Sequence, residues 1–181
     1  SEVANWGVIS NPVAKHSDFY GGYYSSCYIG NNQIAIVGYN HIRIFDISTK
    51  AYVADYTIDT YYDSAWYSNV LFKDNVLYFG YSNALFSFDL STQTLNITYS
   101  GNSIRFISFY NDNFIYVFDY SSGSGSNVYQ YSIINSTSEK KITTSNDFDA
   151  VLKNVQKDGY FGVCDNDLSY IFKPKTNKKK K

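Results

Sequence analysis

A nineteen-residue stretch occurs twice in this chain with small changes. Residues 31–49 read NNQIAIVGYNHIRIFDIST, and residues 74–92 read DNVLYFGYSNALFSFDLST. The segment FDIST returns as FDLST, and Gly38-Tyr39 returns as Gly80-Tyr81. Each copy alternates short apolar runs with Asn, Asp, Gly and Ser, which predicts a turn, a strand, a second turn and a second strand. The duplication therefore predicts a fold made by copying one small sheet.

The first turn of this pattern returns along the rest of the chain, at spacings of 43, 38 and 46 residues. Its residues are well suited to the tight hairpins that need positive φ. Strand-like runs of about five to seven residues on both sides give four strands per unit. The four turns are Asn31-Asn32, Asp74-Asn75, Asp112-Asn113 and Asp158-Gly159.

These spacings predict an all-β fold, a β-propeller-like array of about four four-stranded antiparallel blades. The units cover about residues 23–60, 61–103, 104–146 and 147–172, which together form one domain, residues 1–172. Aromatic residues make up 19% of the chain, with 20 Tyr and 13 Phe, which favours strands. No apolar pattern with helical spacing is present.

The fourth unit has no sequence suited to a fourth strand. The N-terminal residues 1–10, with Trp6, Val8 and Ile9, have the character needed to complete that sheet and close a four-bladed ring. Two alternatives stay open. If residues 1–10 do not close the ring, the chain is part of a larger propeller, or its blades stack as an open arc.

Residues 42–48 (IRIFDIS) and 85–91 (LFSFDLS) resemble LVIVD-type repeats, a β-propeller repeat class related in form to WD40 and YVTN repeats. The resemblance covers about residues 24–99. The third unit has Tyr131-Ser132 in place of Phe-Asp, and the fourth keeps only Tyr170-Ile171-Phe172. The resemblance implies a propeller scaffold, found often on surface-exposed or secreted proteins, with no shared catalytic set.

Aromatic residues concentrate where we expect one rim of the propeller, in the connections between units and in the turns between second and third strands. A Tyr-rich rim suits a protein partner or a sugar, because Tyr buries a large area and still forms hydrogen bonds. The alternative is that these residues pack the blades together. The candidate rim, with His41 at the start of a strand, comprises Phe19, Tyr20, Tyr39, His41, Tyr61, Tyr62, Trp66 and Tyr81.

No catalytic, cofactor-binding or metal-binding set is visible. The two His residues, His16 and His41, are not in a paired ligand spacing. Residues 121–126 (SSGSGS) are expected to form a flexible loop, since no helix or Lys follows as in a phosphate-binding loop. Asp46 and Asp89 recur at one place in the repeat and are expected to bond into the following Ser-Thr turn. We expect no enzyme activity and no cofactor.

Asn96 and Asn135 begin Asn-X-Thr triplets and are candidate glycosylation sites. The compartment stays open, with the outside of the cell slightly favoured. Cys27 and Cys164 are expected to be buried free thiols, with a disulfide as the alternative. The lysine-rich residues 173–181 are expected to be a solvated tail, with contact to an anionic surface as an alternative.

The net charge of −1 gives the body of the protein no field that would attract nucleic acid. No apolar run reaches the length of a membrane helix. The chain lacks an initiator Met, which indicates a processed form or a fragment. We therefore predict a binding or structural-assembly module with a protein partner, and carbohydrate binding at the surface is the alternative.

Overall fold

The computed structural model describes residues 25–38, 41–58, 67–121, 125–143, 161–164 and 169–172. These residues form strands and turns, and none of them is helical. The strands are β1 Ser25–Gly30, β2 Gln33–Gly38, β3 His41–Asp46, β4 Ala51–Thr57, β5 Tyr67–Lys73, β6 Val76–Tyr81, β7 Ala84–Asp89, β8 Thr94–Ser100, β9 Ile104–Asn111, β10 Phe114–Ser121, β11 Gly125–Ser132, β12 Ser138–Thr143, β13 Phe161–Cys164 and β14 Ser169–Phe172.

The strands form three four-stranded antiparallel sheets in simple sequence order. The first sheet contains β1 to β4, the second β5 to β8 and the third β9 to β12, while β13 pairs with β14 alone. The all-β, repeated-sheet architecture is therefore confirmed. The described residues do not close these sheets into a ring, and residues 1–10 lie outside them. The four-bladed ring stays a prediction.

The repeated Asn and Asp residues form equivalent corners in the first two sheets. Asn31, Asn32, Asp74 and Asn75 all have positive φ, between 49° and 64°. This is the geometry of a two-residue hairpin turn whose twist matches the flanking strands. The carbonyl of the second turn residue then accepts a hydrogen bond from the residue that follows the third strand. The three such bonds are Ile47 N to Asn32 O at 2.8 Å, Leu90 N to Asn75 O at 3.0 Å and Ile133 N to Asn113 O at 2.8 Å.

The third corner occupies the same place but has another conformation. Asp112 and Asn113 do not have positive φ. Instead, the Asn111 side chain accepts a hydrogen bond from Asn113 N at 2.9 Å, so an Asx-type contact holds the turn. The fourth expected corner, Asp158-Gly159, lies outside the described residues.

In the turns after the third strands, the recurrent Asp accepts the hydrogen bonds expected from the sequence. Asp46 Oδ1 accepts hydrogen bonds from Ser48 N and Thr49 N, both at 2.9 Å. Asp89 Oδ1 accepts them from Ser91 N at 2.7 Å and Thr92 N at 3.1 Å. These bonds lower the pKa of both carboxyl groups; for Asp46 the largest cause is the Ser48 hydroxyl. The structural reading of this repeat position is confirmed.

Two apolar cores hold neighbouring sheets together. The first core lies between the first and second sheets and includes Val37, Ile42 and Phe79. The second lies between the second and third sheets and includes Leu85 and Ile115. The first strands of the three sheets are neighbours, since β5 contacts both β1 and β9. This side-by-side arrangement places the same end of each sheet at the same side of the array.

One expected loop is shorter than its sequence suggested. β10 continues to Ser121 and β11 begins at Gly125, and these two residues pair. Only residues 122–124 of the expected loop 121–126 lie between the strands. The loop preference of Ser and Gly is weak, so the pairing of the long β10–β11 hairpin overrides it here.

Candidate binding rim and a groove between the second and third sheets

We use the name hairpin rim for the end of the sheets where second strands turn into third strands and where one sheet connects to the next. In the described chain it contains His41 at the start of β3, the Ser82-Asn83 turn and the connection 101–103. The Asn and Asp corners lie at the opposite end of the sheets, because each strand spans its sheet once.

His41 belongs to a polar cluster that joins β3 to β4. Its Nδ1 lies 2.7 Å from Asp55 Oδ1, and Arg43 Nε donates to Asp55 Oδ2 at 2.8 Å. Arg43 and Asp55 oppose each other directly in the antiparallel register. Burial raises the pKa of Asp55, but the hydrogen bonds from Arg43 and His41 outweigh it, so the pKa lies below its ordinary value.

The cluster lies on the face of the first sheet that is turned away from the second sheet. Its neighbours along β3, Ile42 and Ile44, belong to the core between the two sheets, and side chains alternate along a strand. The Arg43 side chain is 6% exposed, whereas that of His41 is 30% exposed. Solvent therefore reaches the His41–Asp55 pair, and Arg43 anchors it from the interior.

The connection from the second to the third sheet is fixed by main-chain hydrogen bonds. Gly101 N donates to Asn83 O and Ile104 N donates to Ser82 O, both at 2.7 Å. The hairpin turn of the second sheet and the entry into the third are therefore one rigid unit.

A buried carboxylate completes this unit. Asp119, on β10, is 1% exposed, and its Oδ1 accepts hydrogen bonds from Asn102 N at 2.8 Å and Ser103 N at 2.9 Å. Tyr99 OH lies 3.3 Å from its Oδ2. A Cβ at position 101 would overlap Oδ2, so glycine fits best beside this carboxylate. Burial, followed by the neighbouring Asp119, raises the pKa of Tyr99 far above its ordinary value.

Most of the rim residues expected from the sequence lie outside the described residues. These are Phe19, Tyr20, Tyr39, Tyr61, Tyr62 and Trp66. His41 is described and lies at the hairpin rim, as expected from its place after a turn.

Tyr81 occupies a different position from the one expected. Gly38 pairs with His41 and Tyr81 pairs with Ala84, so Tyr81 corresponds to Gly38 and ends its strand. The turn itself is Ser82-Asn83. Tyr81 is 4% exposed and belongs to the first core, where its ring lies 6.4 Å from that of Phe86. The two hairpins have the same length, but the Gly-Tyr pair lies one residue earlier in the second, and Tyr81 fits the packing alternative.

Both candidate glycosylation residues are exposed. Asn96 lies on β8, the outer strand of the second sheet, and Asn135 lies in the turn between β11 and β12. Asn135 Oδ1 accepts a hydrogen bond from Thr137 Oγ1 at 2.7 Å, and Thr98 Oγ1 donates to Leu85 O at 3.0 Å. Modification of either Asn stays a prediction.

A groove of about 310 Å³ lies between the outer parts of the second and third sheets. The second sheet provides one wall through β6, β7 and β8, and β11 with the following turn provides the other. None of its lining side chains is charged. The lining residues are Tyr78, Ser87, Asn96, Ile97, Thr98, Tyr131, Ile133 and Ser136.

Cys27 is a free, partly buried thiol that packs against the first core, and its burial raises the pKa to about 11. The side chain of Cys164 lies outside what the structure describes. Within the described ranges, no group of three His, Cys, Asp or Glu residues has the geometry to hold a metal ion. The same ranges contain no helix with the length and hydropathy that a membrane crossing requires.

Comparison with solved structures finds proteins with propeller-type folds. Sqt1 from Saccharomyces cerevisiae matches with a TM-score of 0.60 at 12% identity. The extracellular domain of BT4673 from B. thetaiotaomicron matches with a TM-score of 0.57 at 17% identity. A chain in the complex of S. cerevisiae Dbp5 L327V bound to Nup159, Gle1 H337R, IP6 and ADP matches with a TM-score of 0.52 at 13% identity. At these identities the likeness shows the fold alone.

These matches cover most of this chain but a minor part of the other proteins. They cover 80, 84 and 82% of this chain, and 42, 21 and 43% of Sqt1, BT4673 and the chain in the Dbp5 complex. No family model matches the chain, and no curated protein does. A propeller-type fold is therefore supported, whereas the finer resemblance to LVIVD-type repeats stays a prediction.

Arg43, Asp55 and Asp119 are not among the candidate residues predicted from the sequence. A signal was present for the first two, because opposite charges at paired positions of adjacent strands stabilise a sheet. No such signal marks Asp119, because it is a single Asp within a strand and its partners lie in the preceding connection between the sheets.

Proposed function

We propose that this chain is a non-catalytic interaction module that binds a protein partner through the hairpin rim. The aromatic residues expected there from the sequence would supply the contact area, with His41 beside them. Protein interfaces are enriched in Tyr, Trp and Phe at their centres, which matches the composition expected for this rim.

The observation that carries the proposal is the rigid construction of the described part of the rim. Asp119 and the main-chain bonds of residues 101–104 fix the connection between the second and third sheets. The His41–Asp55 pair is fixed by Arg43. A surface that is ordered before binding loses less conformational entropy when a partner docks.

The His41–Asp55 pair also supports a contact with polar groups of a partner. Both side chains are reached by solvent, and both carry ring or carboxylate atoms that can exchange hydrogen bonds. Such groups at the edge of an interface set specificity and orientation more than affinity. Carbohydrate binding by the same aromatic rim stays a prediction, and a glycan array would test it.

The test is quantitative capture of partners by the purified chain from extracts of its source cells, compared across matched variants. His41→Ala and Tyr39→Ala alter the hairpin rim. Thr49→Ala and Thr92→Ala alter the opposite end, where Thr49 and Thr92 are both exposed and neither has positive φ.

The proposal predicts one protein that the wild type and the opposite-end variants retain, and that the rim variants lose by about tenfold or more. Equal retention by all four variants would contradict the rim as the binding surface. Loss in the opposite-end variants alone would place binding at the Asn and Asp corners instead.

A further inference from the structure

The groove between the second and third sheets contains polar groups that no described residue satisfies. Tyr78 and Tyr131 are 7% and 2% exposed, and both line the groove. Among the described residues, neither hydroxyl has a hydrogen-bond partner, and the same holds for the side chains of Ser87 and Asn96. Buried polar groups are nearly always hydrogen-bonded, so the two Tyr hydroxyls require partners from outside the described chain, whereas Ser87 is half-buried and Asn96 is exposed.

Three of the four form a row across the second sheet. Tyr78 pairs with Ser87, and Ser87 pairs with Asn96, so their side chains lie side by side on one face. This face is turned toward the third sheet, because Tyr78 belongs to the second core. Tyr131 and Ile133 of the third sheet form the opposite wall. The polar groups therefore converge on one space from two sheets.

The equivalent row in the first sheet shows that packing does not demand polar residues here. Counted from the corner turns, Tyr78 corresponds to Ala35, and the register then pairs Ala35 with Ile44 and Ile44 with Ala54. All three are apolar and belong to the first core. Apolar side chains therefore occupy this row between the first and second sheets. Between the second and third sheets, Tyr, Ser and Asn occupy it and line the groove.

The chemistry of the lining selects a neutral ligand. The groove has no charged side chain. Its hydroxyl and carboxamide groups both donate and accept hydrogen bonds. Ile97 and Ile133 add apolar surface to the same walls. A volume of about 310 Å³ is at the small end of the range for ligand sites.

We propose that this groove binds a small neutral polyol, with one or two sugar rings as the representative ligand. A sugar ring presents hydroxyl groups that donate and accept around its edge, together with apolar C–H surface. Each of these has a counterpart in the lining. The site is distinct from the hairpin rim, since Ser136 at its border lies in the turn at the opposite end of the sheets.

The test is binding of uncharged sugars to the full chain, made in a bacterial host so that Asn96 carries no glycan. The probes are glucose, galactose, mannose, N-acetylglucosamine and maltose, measured by saturation-transfer NMR and by amide chemical-shift changes up to 20 mM. Glucose 6-phosphate is the charged counterpart. We expect saturable binding of at least one neutral probe, with shift changes at residues 78, 87, 96 and 131, and weaker binding of the phosphate.

Deletions of a single polar group give the matched variants. Tyr131→Phe and Asn96→Ala remove groups that line the groove. Tyr116→Phe is the control, because Tyr116 lies at the repeat position equivalent to Tyr78 but on the other face of its sheet, outside the groove. Each groove variant should weaken binding by roughly three- to tenfold, the worth of one hydrogen bond. Tyr116→Phe should leave it unchanged.

Thermal unfolding separates a ligand site from a structural one. Since the Tyr78 and Tyr131 hydroxyls bond to no described residue, Tyr78→Phe and Tyr131→Phe should not lower the unfolding temperature. A clear drop in both would show that the protein already satisfies these groups and would overturn the proposal. Absence of saturable binding by every neutral probe would overturn it, as would binding that the groove variants leave intact. None of these results depends on a protein partner at the rim.

Discussion

The side chain of Asn69 in the second sheet bonds both main-chain groups of Ile107 in the third. Its Nδ2 donates to Ile107 O at 2.8 Å, and its Oδ1 accepts from Ile107 N at 2.9 Å. Ile107 is fully buried. The carboxamide thus substitutes for a neighbouring strand at the point where β5 and β9 meet, and it fixes the position of one sheet against the next.

Replacing Asn69 should weaken the junction between these sheets. Asn69→Ala leaves a buried N–H and a buried C=O without partners, and each costs about 1–3 kcal/mol. We expect the free energy of unfolding to fall by about 2–4 kcal/mol in urea denaturation. Asn83→Ala, at an exposed turn position, is the control and should change stability by less than about 0.5 kcal/mol. Equal effects of the two substitutions would contradict the role of Asn69.

Gly101 and Asp119 should be coupled in a double-mutant cycle. Gly101→Ala places a methyl group against the Asp119 carboxylate, at a cost of about 1–3 kcal/mol. Asp119→Ala alone should cost about 2–4 kcal/mol, because Asn102 N and Ser103 N lose their acceptor. In the Asp119→Ala background, Gly101→Ala should cost less, since its nearest obstacle is gone. Strictly additive unfolding energies would rule out the contact.

The Asp46 and Asp89 turns should contribute to acid sensitivity. Hydrogen bonds lower the pKa of both carboxyl groups below the ordinary value of 3.8. Their contribution to stability is therefore present above that value and is lost as pH falls through the lower pKa of the folded state. The Asp46→Asn/Asp89→Asn variant should show a flatter decline of unfolding temperature between about pH 4 and 2 than the wild type. If the unfolding temperatures of variant and wild type fall with the same slope, the hydrogen bonds of these turns do not favour the charged form of the carboxyl groups.

Cys27 should react slowly while the protein is folded. Burial raises the pKa of its thiol from the usual 9.0 to about 11, which reduces the reactive thiolate at pH 8 by about 100-fold. Peptide mapping after iodoacetamide treatment should find Cys27 largely unmodified in buffer and quickly modified in denaturant. Equal rates in the two conditions would place this thiol at the surface.

The local parts of the fold could be predicted from the sequence because their causes are local. Asn31-Asn32 and Asp74-Asn75 accept positive φ, and the recurrent Asp46 and Asp89 bond to main-chain groups two and three residues further on. These effects repeat with the units, so repetition in the sequence was a reliable guide to the four-stranded sheets.

The contacts between sheets could not be predicted in the same way. Asn69 meets Ile107 across 38 residues, and Asp119 meets Asn102 across 17. Their meeting depends on how the sheets lie side by side, which no local pattern encodes. Tyr81 shows the same limit on a smaller scale, since its Gly-Tyr pair lies one residue earlier in its hairpin than Gly38-Tyr39 does, and Tyr81 therefore ends its strand. The groove also arises only where two sheets meet.

The most direct test of the side-by-side arrangement is nuclear Overhauser spectroscopy of the labelled full chain. The arrangement predicts contacts between the Val70 amide proton and the Ser25 side chain, whose N and Oγ lie 3.1 Å apart, and between the Ile107 amide proton and the Asn69 side chain. Both sets of contacts should appear in one folded species. If the antiparallel pairs within each sheet are present while β5 shows no contact with β1 and β9, the sheets are not stacked as blades and the propeller-like account is wrong.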